Sequence, residues 1–366
     1  MIIFVVCGII NMEAKMSKKI GDYPIDKDFE KWAKFQPPLN KVSVFLSQKV
    51  MNLLYFNEKS DENVEVKRFK IPYGVDKKQN AIIYMPKNID SKNVPCLVYF
   101  HGGGFVMPAA PHHYHNARKY AKEVGCIVIF VNYPLAPKNK YPIPAEACFD
   151  AYKWVLDNAC KFNIDTQKIA IGGDSAGGTL ASVAILKAFD NKLPLPCAQM
   201  LIYPAPGSAT ETESMKTFVD TPLCNSVDYK KYCKYYFNSE QDMKERYVSP
   251  LKAEDLSIFP PTYIETAEFD CLRDEALEFG ELLNKAGVKT TINKTERTMH
   301  GYDMVEDSKI TLASMAKRIE FLKENLIKKE GKVVSKSSKS TKTKITKSKE
   351  ESKKKSKPSP KSKIEK

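Results

Sequence analysis

Ile169-Ala170-Ile171-Gly172-Gly173-Asp174-Ser175-Ala176-Gly177-Gly178 is the stretch on which the fold turns. Its apolar β-branched start reads as a buried strand, its Ala-rich continuation as a helix, and the join between them is G-x-S-x-G. A strand that passes into a helix through so few residues must turn sharply at Ser175. Only glycine is small enough at Gly173 and Gly177, two residues to either side. The turn lifts the serine hydroxyl clear of the sheet at a helix N-terminus, with the Ala176 N–H beside it. A phosphate-binding loop is the alternative for a Gly-rich strand-to-helix turn. It is disfavoured because no Lys-Ser or Lys-Thr follows the glycines and no G-x-G-x-x-G is present.

Working outward, the same rhythm repeats. Short apolar runs bounded by Pro or Gly lie at 95–100, 126–132, 168–172, 199–203 and 262–266, a further strand is expected at 290–293, and helical patterns lie at 113–124, 145–163, 176–189 and 274–286. Runs at 64–71 and 79–85, joined through Pro72-Tyr73-Gly74, read as an antiparallel pair at one edge. Strand alternating with helix predicts an α/β fold, a mostly parallel eight-stranded sheet with helices on both faces.

Two segments break the rhythm. Residues 28–56 carry Phe29, Trp32, Phe35, Val44, Phe45, Val50, Leu53 and Leu54 at helical spacings, which predicts one or two amphipathic helices outside the sheet. Residues 207–248 are rich in Tyr and Phe and follow the run at 199–203. An insertion at the carboxyl end of a central strand is placed to cover a ligand, so it reads as a lid, with a surface helix pair as the plainer alternative. The expected organisation is an apolar and basic N-terminal segment (1–19), N-terminal helices (20–60), a catalytic domain (61–206 and 249–329), the insertion (207–248) and a tail (330–366).

Charge belongs almost wholly to that tail. Of 58 basic and 44 acidic residues, 328–366 hold 16 Lys and 4 acids, leaving 42 and 40 for the rest, so a basic nucleic-acid-binding domain is excluded. The tail, mostly Lys, Ser and Thr, lacks the apolar residues to form a core. Its charge allows weak contact with an anionic membrane or a polyanion. The nine Cys are dispersed with no C-x-x-C, which argues against a disulfide framework or a zinc site. A reducing, cytoplasmic setting follows. Residues 1–10 are apolar but for one Gly, short for a membrane span, and leave a signal or a membrane association open.

The chemistry rests on two further signals. His101-Gly102-Gly103-Gly104-Phe105 closes the run at 95–100, where a hydrolase needs bare backbone N–H groups aimed at a developing oxyanion. His101 itself reads as a pin for this loop rather than a proton carrier. The chain has five His (His101, His112, His113, His115 and His300), and only His300 follows Ser175, as the order nucleophile, acid, base requires. The acid must lie between them. Asp270 is best placed, just beyond the run at 262–266, while Glu268 and Asp274 compete, the first as a residue still in the strand and the second as a helix cap.

Together, His-Gly-Gly-Gly-Phe at 101–105, Gly-Asp-Ser-Ala-Gly-Gly at 173–178, Ala267-Glu268-Phe269-Asp270 followed by Leu272-Arg273-Asp274-Glu275, and His300-Gly301 resemble the hormone-sensitive-lipase-like carboxylesterases. The resemblance runs from about residue 64 to 321 and implies the α/β-hydrolase fold with a helical cap built from segments such as 28–56 and 207–248. It also implies that Gly103 and Gly104 join Ala176 as oxyanion donors and that no metal or organic cofactor takes part. The expected activity is hydrolysis of small to medium acyl esters by a Ser175-His300-Asp270 triad through an acyl-enzyme. Amide or formamide hydrolysis by the same triad and a non-catalytic receptor on the same fold are the rivals. The chain departs from the family at Pro134 and Lys138, where the family commonly has Arg and Glu, and at Cys271, where Pro is usual after the acid.

Overall fold

The structure is a computed structural model that describes residues 21–89, 92–207 and 211–327, without the side chains of 52–56. The expectations for 1–19 and for the tail at 330–366 fall outside these residues. Eight strands form one sheet: β1 (Val64–Tyr73), β2 (Lys77–Pro86), β3 (Val94–Phe100), β4 (Ile127–Asn132), β5 (Ile164–Asp174), β6 (Ala198–Ile202), β7 (Thr262–Phe269) and β8 (Thr290–Met299). Their order is β1-β2-β4-β3-β5-β6-β7-β8. The β1–β2 and β2–β4 pairings are antiparallel and all the others parallel.

Eight helices accompany the sheet among the described residues: α1 (Lys41–Asn57), α2 (Pro111–Tyr120), α3 (Ile143–Asp157), α4 (Ala176–Asp190), α5 (Glu213–Thr217), α6 (Ser226–Tyr236), α7 (Arg273–Lys285) and α8 (Lys309–Leu326). The pleat divides the core in two. Along β3, Cys96, Val98 and Phe100 join the apolar cluster that α3, α4 and α7 cover, while Leu97 and Tyr99 join the one that α2 and α8 cover. With both faces dry, these strands carry continuous apolar runs, each fully buried aliphatic side chain contributing about 1.5–3 kcal/mol.

The order of the strands positions the site. From β3 the chain crosses to β4 on one side, and from β5 to β6 on the other, so β3 and β5 flank the point where the winding reverses. Phe100 pairs with Gly173, and the loops that leave these two carboxyl ends therefore emerge side by side.

In the N-terminal segment the structure has one of the one or two helices expected, with Phe29 outside it. Residues 28–56 hold one α-helix, preceded only by a 3₁₀ turn at Lys27–Phe29. Pro37 and Pro38 disfavour the α region at the residues before them, Gln36 and Pro37, and Asn40 then caps α1 by accepting from the Val42 and Ser43 amides. Phe29 is fully buried against Tyr302 in the sheet's own core. Among the described residues no helix is long and apolar enough to cross a membrane.

Candidate active site

Ser175 stands between β5 and α4 at φ 51°, ψ −123°, a strained conformation for a residue with a side chain. Its amide donates to the Ile202 carbonyl at 2.8 Å. The flanking glycines are required by backbone rather than by neighbouring side chains. A methyl group on Gly177 would overlap the Phe100 carbonyl oxygen, and one on Gly173 would overlap both that oxygen and the Gly177 carbonyl.

His300 follows the last residue of β8, which runs to Met299 and so is longer than the sequence predicts. Its Nε2 accepts from Ser175 Oγ at 2.9 Å, and its Nδ1 donates to Asp270 Oδ2 at 2.7 Å. Asp270, 1% exposed, sits one residue past β7, and its other oxygen accepts from the Leu272 amide. Burial alone would lower the pKa of the His300 imidazole, but the Asp270 carboxylate and the Cys224 sulfur beside it outweigh burial and raise it to about 9.

Neither competing carboxylate meets the histidine. Glu268 lies in β7 and accepts from the Arg297 amide at 2.6 Å. Asp274 is not the helix cap expected of it: Leu272 holds that position without a side-chain cap, and Asp274 accepts from the Ser214 amide at 2.7 Å, tying the insertion to α7.

Beside the serine, Gly103, Gly104 and Ala176 line the same cavity. Among the described residues their amides donate to no protein acceptor, whereas the Gly103 carbonyl is taken by the Val106 and Met107 amides. His101 is fully buried, its Nδ1 donates to the Gly102 carbonyl at 2.7 Å, and it stacks on Tyr133, whose hydroxyl donates to the His101 carbonyl. Burial and the neighbouring His113 lower the pKa of His101 to about 4, so the ring is neutral and acts on the loop's shape. Gln48 of α1 adds two bonds of 2.8 Å to the Val106 and Ala136 carbonyls of this region. Lys138 is exposed, and Pro134 lies next to Tyr133 without a polar contact.

One pair escaped the sequence reading. Asp174 Oδ2 accepts from His113 Nε2 and its Oδ1 from Tyr99 OH, both at 3.0 Å, while His113 Nδ1 accepts the Ala110 amide at 2.7 Å. Burial would raise the Asp174 carboxyl, but His113 holds it well below the usual carboxylate range. The pair locks the start of α2 to the elbow, and Gly102 lies against the same carboxylate. Three His in four residues, from His112 to His115, were its only signal in the sequence.

The cavity has a volume of about 260 Å³ and is walled by Phe35 and Met51 from the N-terminal segment, Tyr229 and Tyr232 from α6, and Met107 and Leu272. Phe105 stacks on Tyr236 at 4.0 Å where the glycine loop meets α6.

Residues 97–304 match a family model described as alpha/beta hydrolase fold. Esterase LipI of Mycobacterium tuberculosis is 35% identical over 223 residues, covering 60% of this chain and 69% of its own. An arylesterase of Saccharolobus solfataricus is 33% identical over 280 residues, covering 75% and 86%. Among solved structures, a bacterial heroin esterase superposes with a TM-score of 0.75 at 29% identity, covering 83% of this chain and all but a fringe, 98%, of its own. With the strand order, the elbow and the glycine loop in place, the chain belongs to the α/β-hydrolase fold family, in its hormone-sensitive-lipase-like branch of carboxylesterases.

Proposed function

We propose that this protein is a serine hydrolase of carboxylic esters that forms an acyl-enzyme on Ser175. The observation that carries the reading is the chain of two short hydrogen bonds from Ser175 through His300 to Asp270, opening on a cavity beside three unpaired amides. In the first step His300 Nε2 takes the Ser175 proton as Oγ bonds to the ester carbonyl carbon. The carbonyl electron pair moves to oxygen, where the Gly103, Gly104 and Ala176 amides stabilise it. As the intermediate collapses, the C–O bond to the alcohol breaks and the alkoxide takes the proton from Nε2. Water repeats the sequence and releases the acid. Asp270 keeps Nδ1 protonated throughout, so that before each attack Nε2 faces the nucleophile with a free lone pair, and it stabilises the imidazolium formed in between.

The volume of about 260 Å³ lies just under the roughly 300–1,000 Å³ of sites for drug-sized ligands, which favours small to medium acyl esters. The residues from 28–56 and 207–248 that wall the cavity act in this reading as a cap that keeps water from the acyl-enzyme. The names of the relatives, esterase and arylesterase, support ester over amide substrates. A fluorophosphonate probe tests the reading: the wild type should be labelled on Ser175 and Ser175→Ala should not. Equal labelling of both proteins would refute it.

A further inference from the structure

The first five residues of α2 include three histidines, and two of them have evident partners. His115 is exposed and paired with Glu306, and His113 is bonded to Asp174. His112 is left over. It is buried to the same degree as His300, at 9% exposure, and lines the cavity with Ser175, yet its ring makes no hydrogen bond among the described residues. Its ring lies against that of His113, with 4.0 Å between the centroids. A polar group that a bound ligand covers without pairing it costs about 1–3 kcal/mol. The same cavity is lined by Met107, Ala110 and Met304, which offer no strong hydrogen-bonding side chain, and by Asp174 and Tyr203, which are bonded to His113 and Asp303 instead.

We propose that His112 is a specificity-determining residue that hydrogen-bonds an uncharged polar group of the substrate lying outside the scissile ester. The proposal rests on the esterase reading and names the substrate class for that same site. Burial and the adjacent His113 lower the pKa of the His112 ring to about 3, so near neutral pH it offers one N–H donor and one lone pair. A hydroxyl, which both donates and accepts, suits such a ring. A carboxylate does not, because the ring carries no charge to meet it and both Asp174 and Asp303 lie close enough to act on it. An all-alkyl substrate would displace any water from the ring and leave it unpaired, which is how a polar site rejects an apolar isostere.

The test uses the full chain and two pairs of isosteric esters that exchange a terminal methyl for a hydroxyl. p-Nitrophenyl butanoate against p-nitrophenyl 3-hydroxypropanoate probes the acyl side, and propyl against 2-hydroxyethyl butanoate the alcohol side. The readout is the ratio of kcat/KM within each pair, divided by the ratio for hydroxide-catalysed hydrolysis. In at least one pair the wild type should favour the hydroxyl ester about tenfold. His112→Phe should bring that ratio near one, and His112→Gln, which keeps a donor and an acceptor, should restore most of it. No preference in either wild-type pair would overturn the proposal, as would a preference that survives in His112→Phe, the result expected if His112 only braces His113. A wild type that hydrolyses none of the four esters would overturn the esterase reading and this proposal with it.

Discussion

Ser175, His300 and Asp270 act as a unit in the proposed mechanism, and their substitutions should show it. Ser175→Ala and His300→Ala should each lower kcat on a short p-nitrophenyl ester by roughly 10³-fold or more, and combining them should add little. A double mutant far below either single variant would indicate independent roles. Asp270→Asn should cost about 10²–10⁴ in kcat, because the wrong tautomer then faces the serine, while Glu268→Gln and Asp274→Asn, whose carboxylates bond elsewhere, should leave kcat near wild type. The base works only when neutral, and its pKa is raised to about 9 by Asp270 and Cys224 against the opposing effect of burial. The acid limb of the pH profile of kcat/KM should therefore climb through pH 7 and 8 toward about 9. Replacing Cys224 by Ser removes an ionisable sulfur from beside the imidazole and should shift that limb to lower pH. A limb that stays in place would rule out the sulfur as a contributor.

At the scale of elements, the junctions after β3 and β5 carry different kinds of constraint. Gly177→Ala sets a methyl group on the Phe100 carbonyl oxygen, which is sheet backbone and cannot yield. Its cost should exceed about 3 kcal/mol in denaturant unfolding, above the usual range for overpacking. At Gly104 the added methyl meets the Tyr232 ring, a side chain that can rotate, at a backbone φ of 60°. Gly104→Ala should then cost about 1–2 kcal/mol in stability but a large factor in kcat, since the glycine loop is displaced from the oxyanion position. Equal losses of stability in the two variants would show that the β3 junction is as rigid as the elbow.

Across the whole molecule, one buried cluster fastens the last helix behind the site. Arg318 of α8 is fully buried and pairs with Glu265 at the centre of β7 and with Asp303 after β8. The Tyr263 and Tyr302 hydroxyls donate to Glu265 and the Tyr203 hydroxyl to Asp303, and the Tyr203 ring packs on His300 at 4.7 Å. Arg318→Met leaves two carboxylates buried with reduced compensation and should lower stability by about 3–5 kcal/mol, read as a shift in the urea midpoint. A tolerated substitution would mean that the tyrosine hydroxyls, with the Asn293 and Asn116 side-chain amides, satisfy both acids. For the Lys-rich tail the composition gives the opposite expectation. Deleting residues 331–366 should change kcat/KM on a neutral ester by less than about twofold and weaken adsorption to anionic vesicles in a salt-dependent way. A large loss of activity would place the tail in the site.

The sequence by itself determined what local backbone geometry and chain order control. An apolar strand that must turn into a helix within one residue of Ser175 left only glycine at 173 and 177, and a single His after the serine left one base to choose. The alternation of short apolar runs with helical ones was enough for the sheet and its two covered faces. Distances between residues remote in sequence were decided only by the tertiary structure. Asp270 was separated from Glu268 and Asp274 because β7 runs to Phe269, which carries the next residue past the sheet's edge to His300 and leaves the other two bonded to Arg297 and Ser214. The pairing of His113 with Asp174 spans 61 residues and forms only once α2 has folded back over the end of β5. Phe29 left the amphipathic pattern of its segment for the main core, because it lies in a 3₁₀ turn that two prolines separate from the helix beginning at Lys41. Periodicity and turn chemistry act over a few residues and can be read along the chain, whereas which buried carboxylate meets which imidazole depends on strand length and on the crossing of elements, fixed only when the whole core packs.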